Sequence, residues 1–314
     1  MNNNLKGGFY GCVAAVSYGM NPLCALYLYQ DGLTVPSVLT YRFAIGTLML
    51  GLLMLARRQS FALTRREGVV LLALGALFAG SSLSYFISFN YMAAGIAATL
   101  VFAYPVMVAI IMAVFFRERL KAVAVAAIVM TVAGIGLLFR GDGDTAIAPV
   151  GIAVIMFSAL TYALYIVVVN RSQLVMSSVK LTFYAMLVCL ACVAVYAACS
   201  GEPVQWLTTP REWFFATFLG LVPTVISLVT MAMAIRCIGS TPTAIMGALE
   251  PVTAIVIGVC LFGEAVTPRL LVGIALILLA VTLIVSGNHV PRPARVWRVV
   301  RHGRLVRKLW RWRV

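Results

Sequence analysis

The sequence is poor in charge, and poorest where most of its residues are. Of its 314 residues, 11% are charged and 63% are hydrophobic, and the mean hydropathy is +1.03. A soluble domain carries about 25% charged and about 45–50% apolar residues. Acids are scarcest, nine in all, and the two histidines, His289 and His302, both stand after residue 288. With no HExxH pattern and no histidine in any apolar run, a zinc-hydrolase centre lacks its ligands. A glycine-rich phosphate loop ending in Lys-Ser or Lys-Thr is missing too, which removes the usual ATP site. The seven cysteines lie in or beside apolar runs. Cys189 and Cys192 would share one helix face, so neither a disulfide nor a metal site is expected, and no cofactor is.

What fills the chain instead is apolar runs of about 20 residues, each long enough to cross a hydrocarbon core of ~30 Å. Ten candidate spans result: 8–29, 36–56, 68–91, 94–116, 121–139, 148–169, 179–200, 212–235, 242–262 and 268–286. The first run is too long and too lightly flanked by charge for a secretory signal peptide, and it is read as a span. Thr241-Pro242 and Thr267-Pro268 each offer an N-cap followed by proline in the first turn. The fold class is therefore an all-α integral membrane protein of ten transmembrane helices. With the N-terminus inside, 20 of the 24 Lys and Arg face the cytoplasm, three face outward and Arg42 lies within a span. This agrees with the positive-inside rule and sets both termini in the cytoplasm.

The chain also repeats itself. "AYPVMVAIIMAVFFRE" (103–118) aligns without a gap on "LEPVTAIVIGVCLFGE" (249–264), pairing Pro105 with Pro251 and Glu118 with Glu264. In the same register Ser81 meets Ser227 and Ser84 meets Thr230. A unit of five spans is odd, so the second copy must cross the membrane upside down. Inverted repeats are a plan of secondary transporters, giving inward-open and outward-open states from one architecture. The expected division is a first repeat at 1–140, a second at 141–287 and a basic cytoplasmic tail at 288–314.

These repeats, each with a proline-centred fourth span and a closing glutamate, resemble the EamA-type transporters of the drug/metabolite transporter superfamily. "LEPV…LFGE…TP…G…LI" in the second repeat carries most of the likeness, with "SYGMNP" in span 1 and "YRF" in span 2 beside it. The resemblance covers residues 8–286. It implies a central cavity between the repeats and alternating-access transport of a small metabolite. Members are mostly exporters of amino acids and related compounds in bacterial inner membranes. An integral membrane enzyme acting on lipids, or a small-solute channel, are the rival readings. Scattered acids without a nearby base offer the enzyme no catalytic residues.

Arg42 and Glu250 are the two residues among Lys, Arg, Asp and Glu that stand well within a span. A charge at the midplane costs roughly 2.5–3.5 kcal/mol on insertion scales and normally faces the bundle interior. Four roles are open to Glu250: a structural polar contact, a partner for a substrate ammonium, a site that loads and unloads a coupling proton, or a pair with Arg42. Arg42 either meets a substrate carboxylate or snorkels to the interface. The first repeat has Tyr104 where the second has Glu250, so the acid belongs to one half. Pro105 and Pro251 are kinks or hinges. Ser81, Ser84 and Ser88 with Tyr85 on span 3, and Ser227 and Thr230 on span 8, either line a wet cavity or let helices pack closely. Tyr18, Asn21, Ser158, Tyr162 and Tyr165 are further cavity candidates, where aromatics could enclose an apolar side chain. Glu118 and Glu264 are read as loop-pairing residues.

The tail holds nine Lys or Arg and no acid. Val296, Val299, Val306 and Trp310 gather opposite Arg301, Arg304, Lys308 and Arg311, as on an amphipathic helix lying on an anionic leaflet. The +15 net charge thus points to lipid and topology, not to nucleic acid.

Overall fold

The structure, a computed structural model, describes residues 3–116, 122–139, 148–172, 174, 176–238, 243, 246–264 and 267–287. The basic tail, Glu118 and the Thr241-Pro242 cap lie outside the described residues. Among those described, seven helical stretches are long and apolar enough to cross a membrane. Three shorter apolar helices, Ala122–Leu138, Leu249–Phe262 and Pro268–Leu283, complete the ten spans.

Four spans expected as single helices are broken. Span 1 is Asn3–Gly19 and then Asn21–Gln30, and span 4 is Ala94–Val101 and then Tyr104–Phe116. Span 8 is Pro210–Gly220, a π-helical turn Leu221–Ile226, and Ser227–Ile238. In span 9 a turn at Gly247 and Ala248 precedes Leu249–Phe262. Each break has a proline at or just after it: Pro22, Pro105, Pro223 and Pro251. A proline has no N–H for the carbonyl four residues back, and in a membrane that carbonyl needs another donor. The donors are local. The Tyr18 carbonyl, freed by Pro22, accepts from Asn21 Nδ2 at 2.7 Å. The Leu219 carbonyl, freed by Pro223, accepts from Thr224 Oγ1 at 3.1 Å. The Gly247 carbonyl, freed by Pro251, accepts from the Glu250 N–H at 2.9 Å.

The main seams run between the halves. Span 3 packs on span 6, and span 8 on span 1; span 3 also meets span 7, and span 8 meets span 2. Spans 2 and 7, 4 and 9, and 5 and 10 pair with each other. Exchanging spans 1–5 for spans 6–10 maps each of these seams onto another or onto itself, the mark of an inverted repeat. Hydroxyls sit at matched places. Ser158 Oγ donates to the Ser81 carbonyl at 2.8 Å across the span 3–6 seam. Ser227 Oγ donates to the Ala14 carbonyl at 2.9 Å across the span 8–1 seam.

Spans 2 (Val35–Ala56) and 7 (Ser178–Ser200) are clamped at both ends. At one end Gln205 Oε1 accepts from the Thr34 N–H at 2.7 Å, while Gln205 Nε2 donates to the Gly32 carbonyl at 3.2 Å. Ser37 Oγ accepts from the Gln205 N–H at 2.9 Å, and the Tyr41 hydroxyl donates to the Gln205 carbonyl at 3.0 Å. At the other end Gln59 Oε1 accepts from Ser177 Oγ at 2.7 Å, and Lys180 Nζ donates to the Ala62 carbonyl at 2.7 Å. The Tyr184 hydroxyl there donates to the Phe61 carbonyl. Thr34 and Ser177 are the N-caps of spans 2 and 7. Tyr41 and Tyr184 each stand seven residues after that cap and make the same bond to the opposing loop.

Candidate functional site

Between the halves lies a cavity of about 100 Å³. Its walls come from spans 1, 2, 3, 4, 6, 8 and 9. Of the residues singled out in the sequence, Tyr18, Arg42, Ser81, Tyr85, Tyr104, Ser158, Tyr162, Ser227, Glu250 and Pro251 line it.

Arg42 does not snorkel: it is 2% exposed. Its guanidinium sits over the rings of Phe86 at 5.2 Å and Phe43 at 5.7 Å, a desolvated cation–π setting. Nε donates to Thr224 Oγ1 at 3.3 Å, and the Tyr18 hydroxyl lies beside the group. The placement follows from the chain. Pro223 forces the π-helical turn, the turn aims Thr224 at its own helix's orphaned carbonyl, and the same hydroxyl oxygen accepts from Arg42. Guanidinium offers five donors; Thr224 and the Tyr18 hydroxyl engage the group, which lines the cavity.

Glu250 lines the same cavity from span 9, one residue before Pro251. It is partly exposed, on the cavity it lines. Among the described residues no hydrogen bond or ion pair reaches its carboxyl, so the pair with Arg42 is not formed in this state. The groups that feel its charge are Tyr18, Tyr85, Tyr104 and Tyr162. Tyr104 and Tyr162 meet edge to face at 4.7 Å, and Phe102 meets Tyr104 at 5.9 Å. Gly19 brings span 1 this close: a Cβ there would fall 2.6 Å from the Glu250 carbonyl oxygen.

Six sequence candidates lie elsewhere. Ser88 is buried and donates to the Tyr85 carbonyl at 2.6 Å. Asn21 is buried and its Nδ2 donates to the Tyr18 carbonyl. Thr230 donates back to Ile226 at 2.7 Å in its own helix. Tyr165 stacks behind Tyr162 at 5.9 Å and packs on Phe78 at 5.5 Å. Pro105 breaks span 4 without lining the cavity. Ser84 is off the cavity face, which is Phe78, Ser81, Ser82 and Tyr85; at ~100° per residue it sits roughly 110° round the helix from that face's centre. Sequence reasoning missed Phe78 and Ser82, although their spacing with Tyr85, i, i+4 and i+7, marks one face. Leu228 and Met231 on span 8 also line the cavity, and as apolar residues in an apolar helix they gave no signal.

Away from the cavity, Glu264 caps span 4. Its carboxylate accepts from the Ala94 N–H at 2.7 Å and the Gly95 N–H at 3.3 Å. Burial pushes its carboxyl above the ordinary carboxylate range, and the two backbone N–H groups pull it back. Nearby on the same face Arg211 pairs with Asp31 at 3.2 Å and lies over the Tyr27 ring at 5.2 Å.

Comparison with known proteins gives this architecture a family. The EamA-like transporter family matches residues 5–140 and 149–286. An uncharacterized transporter of Archaeoglobus fulgidus is 26% identical over 200 residues, 64% of this chain and 70% of that protein. The uncharacterized transporter YwfM of Bacillus subtilis is 22% identical over 168 residues, 54% of this chain and 56% of its own length. One solved crystal structure superposes with a TM-score of 0.61 at 24% identity, covering 88% of this chain and 95% of its own, and shows the shared fold. With both halves matched, the chain belongs to the EamA-like transporter family, a family of membrane transporters and not of enzymes.

Proposed function

We propose that this EamA-like chain is a secondary transporter that exports a small amphipathic metabolite bearing amino and carboxyl groups, such as an amino acid or derivative. Alternating access of the two five-span repeats would carry it across a bacterial inner membrane, with both termini cytoplasmic. The observation that carries the reading is that one cavity is lined by a basic and an acidic residue, Arg42 and Glu250, with no ion pair between them. A zwitterion satisfies both. Its carboxylate meets the guanidinium, its ammonium meets the Glu250 carboxylate, and its side chain lies among Phe78, Tyr104 and Tyr162. Truncating one partner of a buried charge pair costs about 2–5 kcal/mol, so each charge matters to binding. A Glu250 carboxyl that exchanged the solute's ammonium for a proton would make the proton the coupling ion. The basic tail holds anionic lipid on the same cytoplasmic face.

The test is counterflow in proteoliposomes with a panel of amino acids and derivatives, with and without an imposed pH gradient. Arg42→Gln is expected to abolish exchange of carboxylate-bearing solutes. Glu250→Gln is expected to remove the pH-gradient response and to select against solutes with an amine. Wild-type exchange by both variants, correctly inserted, sinks the reading. Electrical conductance without saturation would make the chain a channel.

A further inference from the structure

A second cleft, of about 340 Å³, opens at the end of the molecule that carries the basic loop 57–66, between spans 2, 7 and 8. Its rim is polar: Arg57, Gln59, Ser177 and Thr182. Its apolar wall includes Leu50, Leu228 and Met233. Leu228 also lines the central cavity. Leu228 therefore borders both the cleft and the cavity. It is the second residue of the helix Ser227–Ile238, directly after the π-helical turn. Such turns carry an irregular hydrogen-bond pattern and occur often at functional sites, so the backbone under Leu228 is the part of span 8 best able to shift its register.

The opposite end is sealed differently. A cleft of about 380 Å³ lies there, lined by Tyr29, Phe89, Met92 and Glu264 among others. Between it and the cavity stands a cluster of tilted and edge-to-face aromatic rings. The rings of Tyr85 and Phe89 are 4.8 Å apart and those of Phe86 and Phe89 5.5 Å apart. The Tyr29 hydroxyl donates to the Phe86 carbonyl at 3.2 Å, and Glu264 ties the neighbouring start of span 4. One end is closed by bonded aromatic layers, and at the other Leu228 borders both voids.

We propose that the cleft between spans 2, 7 and 8 is the portal into the central cavity from the basic-loop face, that Leu228 is its gate, and that Arg57 at the rim is a first binding site for the anionic end of the entering solute. The proposal rests on the central cavity being the transport site. Arg57 places a cation in a half-open, water-reachable cleft whose other polar groups are neutral. A carboxylate is held there briefly and then passes Leu228 to the buried guanidinium of Arg42, so the route is marked by cations at its mouth and at its end.

The experiment uses charged thiol reagents and needs no knowledge of the solute. The seven native cysteines are replaced in the full-length chain, Met231→Cys is introduced as a sentinel on the cavity wall, and the protein is reconstituted in phosphatidylcholine vesicles. An anionic (sulfonate) and a cationic (trimethylammonium) methanethiosulfonate are applied to each face. Leu228→Ala is expected to speed labelling from the basic-loop face by about tenfold, as a barrier lowered by ~1.4 kcal/mol would, and to leave the other face unchanged. Leu228→Met is expected to label as slowly as the parent. Membrane-permeant N-ethylmaleimide reports whether each variant still folds around a reactive sentinel. Arg57→Gln is expected to lower the ratio of anionic to cationic labelling by about fivefold or more, the effect of one unit charge a few ångströms away in water.

Acceleration from the opposite face, or from neither, overturns the gate. An unchanged anionic-to-cationic ratio overturns the role of Arg57. If adding phosphatidylglycerol blocks the anionic reagent as completely as Arg57→Gln does, the cleft is a lipid headgroup site and the portal fails. Failure of the zwitterion reading leaves these labelling results untouched, so the two can fall separately.

Discussion

Spans 4 and 9 begin alike, each with a broken turn just ahead of a proline. Yet the residue before the proline is Tyr104 in one and Glu250 in the other, and both face the same cavity. Spans 2 and 7 repeat the lesson. Tyr41 and Tyr184 make the same bond to the opposing loop, and the next residues are Arg42 and Ala185. Spans 1 and 8 are broken by Pro22 and Pro223, while their partners, Pro149–Ser172 and Arg65–Ser88, run unbroken and contain no internal proline. The features common to both halves are those that hold the frame: seam hydroxyls, loop clamps, paired kinks. Those present once are the charges and the two helix breaks that position them. Symmetry supplies the shared frame, and departures from it set apart the cavity residues.

Making the halves alike tests this most severely. Glu250→Tyr would give the cavity two tyrosines before its two prolines and no acid. Loss of exchange by about 100-fold is expected, in line with a cost of about 2–5 kcal/mol for an unpaired charge. Adding Tyr104→Glu in the same chain is expected to recover part of it, measured as initial counterflow rate; no recovery would mean that the half carrying the acid matters as well as its charge.

A smaller effect is expected from Thr224→Val. It removes the acceptor of Arg42 and the donor of the Leu219 carbonyl together, and unsatisfied buried groups cost about 1–3 kcal/mol each. Weaker solute binding with a lower melting temperature in detergent is the expected pair of results. A fall in stability without a change in binding would separate the π-helical turn from the site.

The smallest difference concerns the clamps. The Gln205 side chain accepts from Thr34 and Ser37 and donates to Gly32, whereas the Gln59 side chain accepts one bond from Ser177. At about 1 kcal/mol for each net hydrogen bond, Gln205→Ala should lower thermal stability more than Gln59→Ala. Equal losses would show that the backbone bonds of Tyr41 and Tyr184 hold the ends by themselves.

Much of this was legible in the sequence because membranes simplify the code. Ten apolar runs, basic loops on alternate sides and the repeated "PV" segment led to the fold, and rarity alone pointed to Arg42 and Glu250. Helix breaks were less legible. Pro22 and Pro223 stand in full view, but whether a proline bends, breaks or widens a helix depends on which donor takes over the freed carbonyl. The contact between Arg42 and Thr224 joins residues 182 positions apart, which no local pattern encodes. On span 3, Ser81, Ser82 and Ser84 are chemically equal in the sequence, and only the neighbouring helices select the face that turns inward. Leu228 was invisible for the opposite reason: nothing about a leucine in an apolar helix sets it apart until a void is found on each side of it.

The glutamine clamps have a practical consequence. Two helices pinned to each other at both membrane faces can neither slide nor splay while four loops stay bonded, so whatever rocks during the cycle rocks around them. Spectroscopic labels on spans 2 and 7 would then report one constant separation, an internal ruler against which the displacement of every other helix can be measured.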